Sequence, residues 1–514
     1  MTIFQQSMLY ALLAGIGRLW RESCLGRGFA ALVRWLSAKV DESAILWVLC
    51  REGKVARAWE ESFLCRAISA VVNFPVWLCH RIYLRWQAAF DGSFFANLAF
   101  EIGREGAIAE SWLWMALWII PFARWNNAYQ FLAGVLLLLC VFLRGMREGK
   151  GLDIRAVGFY PVLLFAAICL AVPLSHYPGI SGRFLFYHIS AALCLLGTVS
   201  AVRNSADLKR LAASGGFVVL VTSLYGVYQR IQGVEVNKSY VDTTVNEGMP
   251  GRVMSIFDNP NTFAQVLILL LPLLVALTVS SKRWWSRLAA AGTFAVGFAA
   301  LGMTYSRASW VGLAFAAVVF VVLWNRKLIP FGILAALVVL AILPDTVFNR
   351  ILTIFNTSDT STNSRFPLYQ AAGEFLQQRP VLGAGLGSDA VRQAIGDLNL
   401  FHGKDHFVHC HNIYLQVWCE TGLVGVISFV GGILWTFKKG CRAVARATCD
   451  PVVRMTILGG AAALMGTMVC GLADYIWNYP RVMLIFWFVC ALTLAGIRLA
   501  ARQDGEETSA PVSE

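Results

Sequence analysis

Long apolar runs recur along this chain of 514 residues, and they limit its possible folds more than any other feature. The runs are roughly 17–25 residues long, which is the length a helix needs to cross about 30 Å of hydrocarbon. Of all residues, 58% are hydrophobic and only 14% are charged, whereas soluble domains average about 25% charged residues. The sequence therefore predicts an all-α polytopic membrane protein that contacts membrane lipids over most of its surface.

The run lengths predict about twelve transmembrane helices. We place them near residues 111–124, 127–143, 156–173, 184–202, 213–230, 261–280, 284–303, 308–324, 328–344, 412–437, 453–473 and 478–499. The chain then divides into five parts, which are 1–110, spans one to nine in 111–344, a loop domain in 345–411, spans ten to twelve in 412–499, and a polar tail in 500–514.

Residues 1–110 carry frequent charges between short apolar patches, so we expect amphipathic helices on the cytoplasmic face of the membrane. The patch at 70–79 could instead dip into the bilayer. Because Met1–Ala30 mixes apolar residues with Arg18, Arg21 and Arg27, we expect no cleavable signal peptide.

Alternate connections between the predicted spans differ in charge. One set is basic and includes RGMREGKGLDIR, VRNSADLKR, SSKRWWSR and KKGCRAVARATCDPVVR. The positive-inside rule places this set, and both termini, in the cytoplasm. The other set contains the long 345–411 segment, between the ninth and tenth spans, which we therefore expect outside. Its helix-like stretches Phe366–Gln378 and Asp389–Leu398 predict a folded extracytoplasmic loop, and long loops in compact proteins are often functional.

The formal net charge is +13, but the cations fall mostly in short connections, so we expect no nucleic-acid partner. The 13 cysteines form no CxxC pair and no zinc spacing. The sequence therefore predicts neither a disulfide framework nor a zinc site.

The positive-inside rule makes arginines uncommon on the outer side, so the presence of each outer arginine requires an explanation. Arg252 precedes the Asn-Pro-Asn turn of GRVMSIFDNPNTFAQ, Arg307 lies in the short turn TYSRASW, and Arg365 begins a helix in the loop domain. Guanidinium groups bind phosphate in a bidentate manner. Arg307 could instead be an interface anchor, and Asn259 with Pro260 could simply cap a helix.

Four histidines crowd into FHGKDHFVHCHN, with Asp405 among them: His402, His406, His409 and His411. A His-rich tract can bind metal, yet these spacings match no defined zinc signature. We therefore predict no metal, one general base, His411, at the membrane entrance, and the other histidines in solvent. The nearby GAGLGS loop is either an anion-binding loop or a tight turn.

Glu420 lies inside the apolar run that follows His411, with Gln416 one turn before it. On a continuous helix a separation of nine residues places His411 and Glu420 on opposite faces. A structural and a catalytic role both stay open for Glu420, and the same question applies to Asp474 near the end of the eleventh span.

Taken in order, the motifs RxxSxFxNPN, SRxS, SRxxLYxxAxxxxxxxPxxGxGxGS and HNxYLQxxxExGxxG resemble the family of O-antigen ligases and O-antigen polymerases, which are bacterial membrane glycosyltransferases. The resemblance covers roughly 111–499 and is specific mainly in 250–425. It implies a GT-C-like helical fold in the bacterial cytoplasmic (inner) membrane, with the active site facing outward.

The resemblance also implies a reaction. The donor would be a glycan on undecaprenyl diphosphate, and the acceptor would be a hydroxyl of a lipid or another glycan. Arg252 and Arg307, with Arg365 as a further candidate, would bind the diphosphate, and His411 would deprotonate the acceptor without a cofactor or metal. Possible supporting residues are Arg183, Asn259, Asn261, Asn412, Glu420 and Asp474.

Three alternatives stay open at this level. A polymerase that joins two lipid-linked repeat units would carry the same motifs as a ligase, and we slightly favour a ligase-type enzyme. A protein-targeting oligosaccharyltransferase belongs to the same group. A secondary transporter would also have about twelve spans, but transporters show matching repeats, and we find no matching halves here.

Overall fold

The computed structural model describes residues 19, 22–42, 54–237, 248–352, 363–403, 406–445 and 449–509, and every regular element among them is a helix. Asp405 of the His-rich tract lies outside the described residues. The N-terminal part contains α1 (Cys24–Asp41), α2 (Lys54–Glu61), α3 (Phe63–Arg85), α4 (Gln87–Gly92), α5 (Phe94–Arg104) and α6 (Gly106–Leu117).

The bundle that follows contains α7 (Ala128–Glu148), α8 (Ile154–Val157), α9 (Phe159–Ala171), α10 (Pro178–Ala201), α11 (Ser205–Gln232), α12 (Pro260–Ser280), α13 (Trp284–Met303), α14 (Arg307–Trp324), α15 (Ile329–Ile342) and α16 (Asp345–Leu352). The insertion contributes α17 (Arg365–Gln378) and α18 (Ser388–Asp397). The chain closes with α19 (Ile413–Ala445), α20 (Pro451–Cys470) and α21 (Pro480–Ser509).

Among the described residues, 10 helices are long and apolar enough to cross a membrane, or 11 if the bent pair Arg326–Ile342 and Asp345–Leu352 counts as one span. The prediction of an all-helical membrane protein is confirmed. Three predicted spans correspond to shorter helices, α6, α9 and α15, of 12, 13 and 14 residues. The count of twelve and the GT-C-like class stay predictions.

The most buried spans are α12, α20 and α21. Helix α12 is apolar on all sides and packs against α20, α13 and α11, while α21 packs against α20 and α10. These three helices therefore form the centre of the bundle.

The two ends of the bundle differ in chemistry. We call the end that carries Arg144, Arg203 and Arg498 the basic end, and the end that carries Arg252, Arg307 and His411 the site end. Successive long helices run between these two ends, so the connections between them lie alternately at the basic end and at the site end.

Helix α3 is also long enough to span a membrane, but its contacts place it across the basic end. The Asn73 side chain exchanges hydrogen bonds with the backbone of Leu152 (2.6 and 2.9 Å), and His80 Nδ1 lies 2.9 Å from the carbonyl oxygen of Met146. Both partners lie at or just after the end of α7. These hydrogen bonds join α3 to the end of α7, and the placement of α3 along the membrane surface stays a prediction.

Helix α19 is broken at Gly422, whose φ of 70° and ψ of −170° are not helical. The segment at 381–385 from the insertion fills the break, where the amides of Ala384 and Gly385 donate to the carbonyls of Cys419 (2.7 Å) and Glu420 (3.2 Å). The broken helix thus fastens the insertion to the bundle.

Candidate active site

Four arginines converge on a cavity of about 340 Å³ at the site end. Arg252 comes from the loop before α12, Arg307 from the first turn of α14, Arg350 from α16 and Arg365 from the first turn of α17. Asp474 is the only carboxylate among the described lining residues. The structure therefore brings together all three arginines that the sequence selected, and it adds a fourth.

Arg252 is held in place by the turn between α13 and α14. Its side chain is only 7% exposed. Its Nε donates to the carbonyl of Thr304 (2.7 Å), and its Nη2 donates to Asn261 Oδ1. Because two directions of the guanidinium are fixed by these bonds, the group keeps a constant position on the cavity wall.

Arg350 was among the outer arginines of the sequence but had no distinguishing motif. It is buried in an amphipathic helix of eight residues that is bent away from α15 by 116°. The bend carries Arg350 back to the cavity. Pro344, between α15 and α16, was the available signal for a break, but a proline does not give the direction of the bend.

Apart from the charged side chains and Asn261, Tyr305 and Ser306, the cavity wall is apolar. Ala308 and Val311 come from α14, Val469 from α20, and Leu472 and Ala473 from the turn after α20. The turn is tied to α14 by Ser309 Oγ, which lies 3.6 Å from Cys470 Sγ. A cavity with cations at one side and apolar walls at the other suits a ligand with an anionic group on a hydrocarbon chain.

His411 contacts Asp474, which lines this cavity. His411 Nδ1 lies 3.4 Å from Asp474 Oδ1, a contact at ion-pair distance that lacks hydrogen-bond alignment. Gln265 Nε2 donates to Asp474 Oδ2 (2.9 Å), and the amide of Tyr475 donates to Oδ1 (2.9 Å). Burial opposes ionisation of Asp474, but His411, Arg365 and His409 outweigh it and lower the pKa of Asp474 to about 2.

His409 lies directly beside His411, with the ring centroids 4.1 Å apart. Its Nδ1 accepts a hydrogen bond from the amide of His411 (3.1 Å). Burial, together with the charges of His411 and Arg365, lowers the pKa of His409 to about 3. The expectation that the other histidines of the tract lie in solvent is thus wrong for His409.

The backbone around the cavity is strained at three non-glycine residues. Ser255, Tyr305 and His411 have φ values of 55°, 52° and 44°, in the left-handed region that non-glycine residues seldom adopt. Such strain costs on the order of 1–3 kcal/mol per residue and persists only where the surroundings enforce it. These residues lie in three of the motifs that the sequence identified.

Glu420 forms side-chain hydrogen bonds with Gln416 and Tyr475, and not with His411. Its side chain is 3% exposed, and Oε1 accepts hydrogen bonds from Gln416 Nε2 (2.8 Å) and from the hydroxyl of Tyr475 (2.9 Å). Gln416 in turn accepts from the amide of Cys410 (2.9 Å). Glu420 thereby links the residue before His411 to the residue after Asp474.

The Gly-rich GAGLGS loop serves close packing. Two of its amides donate to carbonyls of α19, and a Cβ at Gly385 would lie 2.1 Å from Ser175 Oγ. The loop is therefore wedged between α19 and the start of α10. These two amides are already paired and are not available to an anion.

The remaining sequence candidates have structural partners. Asn259 caps α12 by accepting from the amide of Asn261 (2.8 Å). Asn412 caps α19 and donates to the carbonyl of Leu472 (3.0 Å), which fixes the turn before Asp474. Arg183 pairs with Asp389 (2.7 Å) on the exposed surface, and it does not line the cavity with the four arginines.

Within the described ranges, no group of three or more His, Cys, Asp and Glu side chains could hold a metal ion. The two adjacent histidines and Asp474 are instead engaged with one another, as given above. A metal-independent reaction stays a prediction.

Comparison with known proteins gives one match. Residues 292–430 match the family model described as O-antigen ligase. This range begins in α13 and ends in α19, so it includes Arg307, Arg350, Arg365 and His411. No curated protein matches the chain.

Proposed function

We propose that this chain, which belongs to the O-antigen ligase family through residues 292–430, is a membrane glycosyltransferase of the ligase type. The donor is a glycan on undecaprenyl diphosphate, and the acceptor is a hydroxyl group on a lipid or a second glycan. The reaction takes place at the outer face of the bacterial cytoplasmic membrane, with both termini in the cytoplasm.

The observation that carries this proposal is the convergence of four arginines beside the His411–Asp474 pair. A diphosphate ester carries two negative charges and gains more when its bond to the sugar breaks. Preorganised cations that face such a developing charge stabilise the transition state more than the ground state. Arg252, Arg307, Arg350 and Arg365 supply this field in a setting with apolar walls.

His411 is the base in this mechanism. The ionised Asp474 favours the tautomer with the proton on Nδ1, which leaves the lone pair of Nε2 for the acceptor hydroxyl. Nε2 takes the hydroxyl proton while the acceptor oxygen attacks the anomeric carbon. The bond between that carbon and the diphosphate oxygen breaks, and the lipid diphosphate leaves with the electron pair. Asp474 then faces the imidazolium that has formed.

Substitution of arginines on the site end tests donor binding. Arg307→Ala and Arg365→Ala should each weaken binding of undecaprenyl diphosphate by roughly 10- to 100-fold, since each removes charge-assisted hydrogen bonds of about 1.5–3 kcal/mol. Binding can be measured with the purified protein in detergent. Arg183→Ala is the matched control, because Arg183 is also on the outer side but pairs with Asp389.

This comparison distinguishes an arginine that binds the donor from one that anchors the protein at the membrane interface. Equal binding by Arg307→Ala, Arg365→Ala and Arg183→Ala would make these residues interface anchors and would contradict the proposal. Loss only in Arg183→Ala would move the donor site to the surface beside α18.

A further inference from the structure

A second basic cavity lies at the other end of the bundle. We call it the basic-end cavity; its volume is about 390 Å³, and it is enclosed by α3, α7, α8 and α21 with the connection after α10. Six cations line it: Arg144, Lys150, Arg155, Arg203, Arg498 and Arg502. Only two carboxylates, Glu148 and Asp153, accompany them, so the wall has an excess of four positive charges.

Three of these cations have structural partners. Arg144, 7% exposed, donates to the carbonyls of Ser200 (2.7 Å) and Ala201 (3.2 Å) at the end of α10. Arg498 donates to the carbonyl of Val202 and to Asp153. Arg203 pairs with Glu105 and Asp207. The last carbonyls of a helix lack intrahelical donors, and a cation there also offsets the helix dipole.

The other three cations have no such role. Lys150, Arg155 and Arg502 line the same cavity, and among the described residues no carboxylate forms an ion pair with any of them. Like charges that converge on one cavity repel each other. An anion in the cavity would remove this repulsion, and guanidinium groups are well suited to phosphate oxygens.

A buried hydroxyl completes the polar wall. Ser69 of α3 lines the basic-end cavity, and its Oγ is buried without a hydrogen-bond partner. A serine hydroxyl donates readily to a phosphate oxygen. Arg155, Arg498 and Arg502 also line an adjoining cavity of about 470 Å³, so the cationic wall is accessible from two sides.

The position of α3 indicates where the anion comes from. Its outward face exposes large apolar side chains at helical spacing, namely Phe63, Val71, Phe74 and Trp77. An apolar helix face at a bundle end is covered by the boundary between lipid headgroups and acyl chains. The basic-end cavity, beneath the same helix, then lies at the depth of headgroup phosphates, where basic pockets between helices bind anionic lipids.

We propose that the basic-end cavity binds a phosphate group, supplied by the headgroup of an anionic phospholipid in the leaflet at that end. The site is separate from the arginines around His411 and does not depend on the reaction proposed for them. Lys150, Arg155 and Arg502 bind the phosphate, while Arg144 and Arg498 keep the cavity in shape.

The test uses the full chain with three exposed cations removed. The triple variant K150Q/R155Q/R502Q should bind phosphatidylglycerol on the order of a hundredfold more weakly than the wild type, at roughly fivefold per cation. Binding can be followed by native mass spectrometry and by the lipid-induced rise in Tm of the detergent-solubilised protein. The control K282Q/R283Q/K327Q removes three exposed cations from the same end but outside the cavity.

Two further arms identify the source of the phosphate. Phosphatidylcholine, which has no net charge, should leave Tm unchanged, whereas inorganic phosphate should compete with phosphatidylglycerol only weakly. A rise in Tm with millimolar inorganic phosphate, lost in the K150Q/R155Q/R502Q variant, would support the phosphate site but assign it to a soluble ligand. Equal lipid binding by the test and control variants would overturn the proposal.

Discussion

At the scale of single residues, the site depends on how Asp474 holds His411. Asp474 is fixed by Gln265 and by the amide of Tyr475, so its Oδ1 faces the His411 ring from a constant position. An imidazole acts as a base at one nitrogen only when the other nitrogen carries the proton. In the proposed mechanism the carboxylate favours the tautomer with the proton on Nδ1 and stabilises the charge that His411 acquires.

Asp474→Asn tests this arrangement. We expect glycan transfer to fall on the order of a hundredfold or more, because an amide cannot stabilise the imidazolium as a carboxylate does. Donor binding should change little, since the arginines stay in place. Asp389→Asn is the matched control: Asp389 pairs with Arg183 and Arg392 on the outer surface. Equal kcat for the two variants would remove Asp474 from the mechanism.

His409 gives the fold a specific pH dependence. Burial lowers its pKa to about 3 in the folded protein, whereas an imidazole in an unfolded chain has a pKa of about 6.5. Between these values the unfolded state binds more protons, so stability rises with pH and is lost as pH falls below about 6.5. The neighbouring charges are His411, Asp474 and Arg365.

His409→Asn should reduce this dependence, because the amide oxygen can accept from the His411 amide and does not titrate. We expect the Tm of the wild type to fall more steeply between pH 7 and pH 5 than that of the variant, by up to about 1.4 kcal/mol of stability per pH unit. Parallel curves for the two proteins would show that His409 is already accessible to protons in the fold.

The sequence identified those site residues whose charge is unusual for their place in the chain. Arg252, Arg307, Arg365 and His411 could be selected because the charge pattern placed them outside, where cations are uncommon. Arg350 shared that feature but lay in no motif, and only the bend between α15 and α16 brings it to the cavity. His409 was missed because burial depends on contacts that no local pattern contains.

At the scale of elements, the start of α19 explains why helical phase does not relate Glu420 to His411. The sequence argument assumed one continuous helix and opposite faces. In the structure His411 precedes α19 and has a left-handed φ, so helical phase does not apply to it. The Glu420 carboxylate accepts hydrogen bonds from Gln416 and Tyr475, so a positioning role for Glu420 is the one that its contacts favour.

Gly422→Ala tests the break itself. A Cβ at Gly422 would lie 1.9 Å from the carbonyl oxygen of Val381, and φ is 70°. We expect a loss of roughly 1–3 kcal/mol in stability and lower transfer activity, because the insertion is fastened at this point. Gly373→Ala in α17 is the control, since its Cβ would meet no neighbour within 4 Å and alanine favours a helix by about 1 kcal/mol. A tolerated Gly422→Ala would mean that α19 can close without the insertion.

At the scale of the whole molecule, the lengths of the apolar runs and the charges between them predicted an all-helical bundle. They did not predict which helices lie at its centre. Apolar runs resemble one another whether they face lipid or protein, so nothing in the sequence marked α12, α20 and α21 as the buried helices. Helix α3 is the converse case, since its length alone suits a span, while its contacts place it across the basic end. Packing partners, which only the structure supplies, decide both cases.

The whole account requires that donor binding and acceptor activation lie on separate residues of one site. The arginines bind the diphosphate, and His411 removes the acceptor proton. The most direct measurement is therefore a comparison of donor binding and glycan transfer by purified His411→Ala, with His406→Ala as control, because His406 is an exposed histidine of the same tract. The account predicts that His411→Ala binds undecaprenyl diphosphate as the wild type does but transfers no glycan, while His406→Ala does both. Transfer retained by His411→Ala at the wild-type rate would contradict it.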